Sequence, residues 1–307
     1  MAFSASDAAL EGFRLTRRHP KAIVFWALAA LAFNLAIIGS LIVLAGPAMT
    51  EMMAVSRSGG VADPELSMAA AGSMAVAYLA VLPLTCLFLA VFAGAVYRAS
   101  IRPGESAFGF LRLGMDEFRL LVVGVVVGLM GLVAVMVLSI GVSIVGSRIA
   151  VGMSGGGPPG AGGMIITVLL VYIGMFFGGM AFYVKFSFAG PMTFLQKRID
   201  IFGSWRATKG RFWALFGCYT LAVVLGVVVS LLGVSIAMAA MLAFGGGPSQ
   251  VFAPDMSSLA AYFTPAMAAY VAVTSVFTAL TYPIYLAPAM AAWTALHGGA
   301  DPSRAFD

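Results

Sequence analysis

Charged side chains are scarce in this sequence. Asp, Glu, Lys and Arg make up 9% of its 307 residues, against roughly a quarter in a soluble globular domain. A chain so poor in solvated groups cannot cover a surface that faces water on every side. Histidine and cysteine are scarcer still, with 2 of each. Cys86 and Cys218 fall inside apolar runs, where a thiol serves as a small apolar filler. They make neither a zinc motif nor a disulfide framework. His19 and His297 stand at the ends of apolar runs, and no carboxylate spacing turns either into a metal site. The glycines of Gly155–Gly157 and Gly245–Gly247 lack the strand and helix that a phosphate-binding loop needs. No Asp or Glu falls within an apolar run, which removes the usual means of coupling transport to protons or ions. These absences point away from an enzyme and from any cofactor.

What the sequence has is apolar length, with 62% of its residues hydrophobic. Crossing about 30 Å of hydrocarbon takes roughly 20 helical residues. Six runs reach that length: Ala22–Leu44, Met68–Val96, Leu120–Val145, Met164–Val184, Phe212–Phe244 and Tyr262–Leu296. Backbone groups in lipid must be bonded within the segment, so helices are expected. None of the polar–apolar alternation of a barrel strand is present. The first run is too long for a signal-peptide core, and no small-x-small cleavage site follows it near Gly46-Pro47, so it reads as an uncleaved helix. The fold class expected is all-α, a polytopic membrane protein with six transmembrane helices.

Orientation follows from Lys and Arg. Arg14, Arg17, Arg18 and Lys21 precede the first run; Arg98, Arg102, Arg112 and Arg119 follow the second; Lys197, Arg198, Arg206, Lys209 and Arg211 follow the fourth; Arg304 is in the tail. The other side holds Arg57 and Arg148 with Glu51, Asp63, Glu65 and Asp255. Cationic loops stay in the cytoplasm during insertion, so both termini are expected there, in a bacterial plasma membrane. The net charge of +5 is then topology and attraction to anionic headgroups, not a nucleic-acid footprint.

The chain also shows signs of repetition. Phe108-Gly109-Phe110-Leu111-Arg112 precedes the third run, and Phe202-Gly203-Ser204-Trp205-Arg206 stands 94 positions later, ahead of the fifth. A fainter copy is Glu11-Gly12-Phe13-Arg14-Leu15 ahead of the first. The unit expected is a short cytoplasmic interfacial helix followed by a two-helix hairpin, used over residues 8–97, 105–190 and 198–296. Phe108, Leu111 and Met115 are spaced for one helical face, with Arg112, Asp116 and Arg119 towards headgroups. Phe202 and Trp205 are similarly placed beside Arg206 and Lys209.

The string Lys185-Phe-Ser-Phe-Ala-Gly-Pro191, followed by Gly203-Ser204-Trp205, Thr208-Lys209-Gly210 and Phe212-Trp213, resembles a pattern in bacterial multi-span proteins. These include the membrane domain associated with glycerophosphodiester phosphodiesterases and families of unknown function. The resemblance implies a fold and no reaction, because the catalytic domain of those phosphodiesterases is a separate soluble barrel.

Few residues within the runs invite a functional reading. Lys185 reads as the only charge bordering a span, and either snorkels to the interface or faces a polar cavity. Pro83, Pro283 and Pro288 free backbone carbonyls; Thr281-Tyr282-Pro283-Ile284-Tyr285 is the most polar and aromatic stretch of any run, as in the broken helices of transport sites. Gly124 and Gly128, and Gly174 and Gly178, form small-residue faces suited to close helix packing, within the chain or between copies. The glycine-rich stretch from Gly152 to Gly163 reads as a flexible outer loop. Two functions are compatible with this inventory. One is a non-catalytic scaffold or assembly factor binding membrane proteins or lipids; the other is a transporter or exporter of an apolar or amphipathic small molecule.

Overall fold

The computed structural model of the chain describes residues 4–57, 63–153, 161–252 and 254–297. Every regular element among them is a helix. Two short helices, α1 (Ala5–Ala9) and α2 (Glu11–Arg18), lead into the long α3 (Pro20–Arg57) and α4 (Pro64–Ile101). A turn at Ala107–Phe110 precedes α5 (Met115–Met153) and α6 (Ala161–Phe186). The short α7 (Ala189–Gln196) and α8 (Ile201–Ala207) lead into α9 (Phe212–Ala243). Two further turns of helix, α10 (Pro248–Phe252) and α11 (Leu259–Tyr262), precede α12 (Pro265–His297). Six of these helices, α3, α4, α5, α6, α9 and α12, are long and apolar enough to cross a membrane. The protein is an all-α polytopic membrane protein.

The long helices outrun the hydrocarbon. The 38 residues of α3 and of α4 would each measure about 57 Å at 1.5 Å per residue, against a core of about 30 Å. Helix therefore continues past the charges that bound the apolar runs. Met153 ends α5 and Ala161 begins α6, so both edges of the glycine-rich stretch 152–163 are helical; its centre, 154–160, lies outside the described residues. Pro283 and Pro288 do not break α12, which runs through both, leaving the carbonyls four residues before each without their intrahelical partner.

Helix α12 is the hub and packs against α9, α3, α4 and α2, while α5 and α6 pair mainly with each other. Close approach is set by glycine. A Cβ at Gly233 would fall 2.6 Å from that of Phe277, and one at Gly226 would overlap the Tyr285 ring, so α9 and α12 touch backbone to side chain. On the other hairpin, Gly174 receives Val142 and Gly178 receives Leu138 from α5. Gly124 and Gly128 have no such neighbour: nothing lies within 4 Å of a Cβ at either. The packing expected from small residues is thus met within the chain by the second pair and left open at the first.

The segments ahead of the hairpins differ from one another. Helix α2 is amphipathic, burying Gly12 and Leu15 and exposing Arg14, Arg17 and Arg18. Helix α8 is short, with Phe202 and Trp205 exposed. The expected interfacial helix over 105–115 is replaced by the Ala107–Phe110 turn, in which Phe108, Gly109 and Phe110 all take the left-handed conformation at φ 51°, 65° and 66°. That backbone cannot continue a right-handed helix, so Phe108, Leu111 and Met115 do not form one helical face.

Candidate functional site

The end of the bundle that carries the starts of α3, α5 and α9 is rich in Lys and Arg and is termed the basic end below. Here the structure corrects the expectation that Lys185 is the sole charge beside a span. Arg98, on the last turns of α4, and Glu117, in the first turn of α5, form an ion pair with exposures of 3% and 2%. Hydropathy ends a span at its first charge, but two opposite charges that find each other can be taken inside together.

The pair is built into a strained turn. The Arg98 guanidinium also donates to the Phe110 carbonyl, and Trp26 Nε1–H donates to the Gly109 carbonyl at 2.7 Å. Trp26 and Phe110 are buried. Non-glycine residues at positive φ each cost on the order of 1–3 kcal/mol and persist only where the surroundings over-determine them. Here two buried side-chain donors fix the carbonyls, and Gly109 lies against α3 so closely that a Cβ would come 3.2 Å from the Ala22 backbone. Phe194 of α7 completes the enclosure, with the Arg98 and Arg102 guanidiniums 5.8 and 5.5 Å from its ring centre.

Lys185 belongs to a second joint at the same end. Its ammonium lies 5.0 Å from the Trp205 ring centre and 5.8 Å from that of Phe212, on α8 and the start of α9. Its carbonyl accepts from the Ser204 hydroxyl at 2.8 Å, and Ser204 Oγ in turn accepts from the Phe188 backbone N–H at 3.1 Å. Gly203 N–H donates to Asp200 Oδ1 at 2.7 Å, closing the first turn of α8 as a helix cap does. Lys185, Phe188, Ser204 and Trp205 therefore form one joint between α6, α7 and α8.

The remaining predicted residues converge elsewhere. Tyr282 and Tyr285 line a cleft of about 340 Å³ between α9 and α12, together with Ser230, Thr274, Thr278 and Thr281. Pro283 does not line it; its face meets α2, where a Cβ on Gly12 would stand 2.6 Å from the Pro283 carbonyl oxygen. Thr274, Thr278 and Thr281 each donate back to a carbonyl of their own helix at 2.8–3.0 Å, and so offer the cleft only acceptor lone pairs. The hydroxyls of Ser230, Tyr282 and Tyr285 make no hydrogen bond among the described residues. Tyr282 is anchored by its ring against Phe88 and Phe92 at 5.8 and 5.3 Å, and the Tyr285 carbonyl accepts from Tyr183 Oη at 3.2 Å. No ionisable acid or base other than tyrosine lines the cleft.

The cleft thus joins the candidate residues Tyr282 and Tyr285 to Ser230 of α9; sequence reasoning did not single out Ser230, Trp26 or Glu117, and read Arg98 and Gly109 only as topology and repeat. The available signal was Gly94-x-x-x-Arg98: a small residue one turn before an arginine makes room for a partner above it. Among the described residues no group of three or more His, Cys, Asp or Glu is placed to hold a metal ion. Comparison of the chain with protein-family models, with curated proteins and with solved structures returns no match.

Proposed function

We propose that this chain is a non-catalytic lipid-binding scaffold of the bacterial plasma membrane, holding an amphipathic lipid in the α9–α12 cleft. The observation that carries the reading is the cleft itself: about 340 Å³, largely apolar, with the Tyr282 and Tyr285 hydroxyls unpaired beside self-satisfied threonines. Both tyrosines are half-buried, so their hydroxyls are open to a ligand in the cleft, and a neutral, hydroxyl-lined cleft midway along two spanning helices suits an acyl or isoprenoid chain bearing a small polar group. The lining has no carboxylate or histidine beside its tyrosines, so no acid–base pair is assembled there, which favours holding over turnover.

Mass spectrometry of the purified protein, released from detergent intact, tests this. The wild type should carry a bound lipid, and Ser230→Trp or Thr278→Trp, which fill the cleft, should remove it while the protein stays monodisperse. A lipid retained equally by both variants would refute the assignment. The Lys and Arg bias supports a topology with both termini on the cytoplasmic side. An impermeant thiol reagent should then label cysteines introduced at Asp63 or Ser257, but not at Gly104 or Thr208, in intact cells.

A further inference from the structure

The basic end carries a second cleft, of about 360 Å³, whose lining includes Arg18, His19, Lys21, Phe25, Ser106 and Phe110. We propose that it binds the phosphate headgroup of an anionic phospholipid, whose chains then run along the exposed face of α3.

Charge comes first. Arg18 and Lys21 bring two cations to a lining that contains no carboxylate. Arg18 is paired with Glu11 at 3.1 Å, whereas Lys21 has no ion pair among the described residues. His19 and Ser106 add hydrogen-bonding groups at the rim, and a phosphodiester accepts from all of these. Shape comes second. Phe110, buried, and Phe25, 40% exposed, supply an apolar floor, and the His19 ring stands edge-on to Phe110 at 5.1 Å. The wall opposite α3 is the left-handed turn whose carbonyls are drawn inward by Trp26 and Arg98. Strain of this kind collects at ligand clamps.

Position decides between a soluble anion and a lipid. The cleft lies where the charges of α2 give way to the apolar run of α3, and Phe25, Leu28 and Leu35 continue from it as exposed side chains on one helical stripe. A free phosphate would use the cations and leave that stripe idle, whereas a phospholipid uses both.

The test uses the full chain reconstituted in nanodiscs of phosphatidylcholine doped with phosphatidylglycerol, with lipid retention through detergent extraction as the readout. Arg18→Gln with Lys21→Gln should lower retention of phosphatidylglycerol relative to phosphatidylcholine roughly ten-fold or more. Arg17→Gln with Lys209→Gln removes the same charge from exposed positions of the basic end outside this cleft, and should leave retention within about two-fold of wild type. Ser106→Trp fills the cleft without changing charge and should reproduce the loss, so the proposal remains testable if the double variant does not fold. Equal losses in the cleft and control pairs would reduce the effect to bulk attraction and overturn the proposal. So would unchanged retention in Ser106→Trp, or displacement of phosphatidylglycerol by millimolar inorganic phosphate alone.

Discussion

Gly94 lies directly beneath Glu117: a Cβ at position 94 would come 2.6 Å from the carboxylate oxygen that faces Arg98. The glycine makes the space in which the ion pair is buried, and the pair joins α4 to α5 where the second hairpin meets the first. Arg98→Met leaves a buried carboxylate without its cation, a loss on the order of 3–5 kcal/mol. Arg98→Met combined with Glu117→Leu removes both charges and should recover part of that stability, the Phe110 carbonyl still lacking its Arg98 donor. Thermal aggregation in detergent, followed by size exclusion, gives the order: wild type above the double variant, and the double variant above both single variants. A double variant no better than Arg98→Met would show that the pair is not the source of the stability.

The N-terminal strap depends on a second glycine. Helix α2 meets α12 at the proline, and a Cβ on Gly12 would stand 2.5 Å from the Ile284 Cα. That neighbour is backbone and cannot rotate away. Gly12→Ala should therefore lift α2 from α12, at roughly 1–3 kcal/mol by the measure of overpacked sites. Buried Ala8, Ala9 and Leu15 would come away with it. The readout is limited trypsin cleavage at Arg14, Arg17 and Arg18, which should accelerate several-fold while the long helices remain intact. An unchanged cleavage rate would mean that the strap is held elsewhere.

The spans were legible because a run of twenty apolar residues has few alternatives to a membrane helix. Their ends were not. A hydropathy window stops at Arg98 and resumes after Arg119, whereas α4 continues to Ile101 and α5 begins at Met115, because a charge can be buried once its partner is buried with it. Tyr282 and Tyr285 stood out in the sequence because their stretch is the most polar and aromatic of any run. Their neighbour Ser230 comes from α9 and is a tertiary fact. The Phe108–Phe110 turn was the least readable element: an Arg-flanked Phe-Gly-Phe string has the spacing of an amphipathic helix, and the sequence carries little that announces phenylalanine at positive φ.

The two glycine faces of the second hairpin separate packing from solvent accessibility. Gly178→Leu would drive a side chain into Leu138, and Gly174→Leu into Val142. Both should lower the melting temperature of the purified protein. Gly124→Leu and Gly128→Leu enter open space and, with leucine the better helix former, should leave it unchanged or slightly raised. A loss of stability at position 124 or 128 comparable to that at 178 would reveal a packed neighbour on that face, such as a second copy of the chain.

Lys185 tests whether an isolated cation at a span edge is functional or only solvated. Its ammonium stands between the rings of Trp205 and Phe212, and the hydrogen bond that fixes this position in the fold goes to its carbonyl, not its side chain. The side chain therefore contributes a cation–π contact of about 0.5–1 kcal/mol, so Lys185→Gln should lower stability by no more than that and leave cleft lipid in place. Ser204→Ala is the larger change although serine is uncharged. It strips the acceptor from the buried Phe188 N–H and the donor from the Lys185 carbonyl, at about 1–3 kcal/mol for an unsatisfied buried group. If Lys185→Gln proved more damaging than Ser204→Ala in the same thermal assay, the ammonium would be holding the joint itself, and its role would have to be sought among the groups that α8 and α9 present to it.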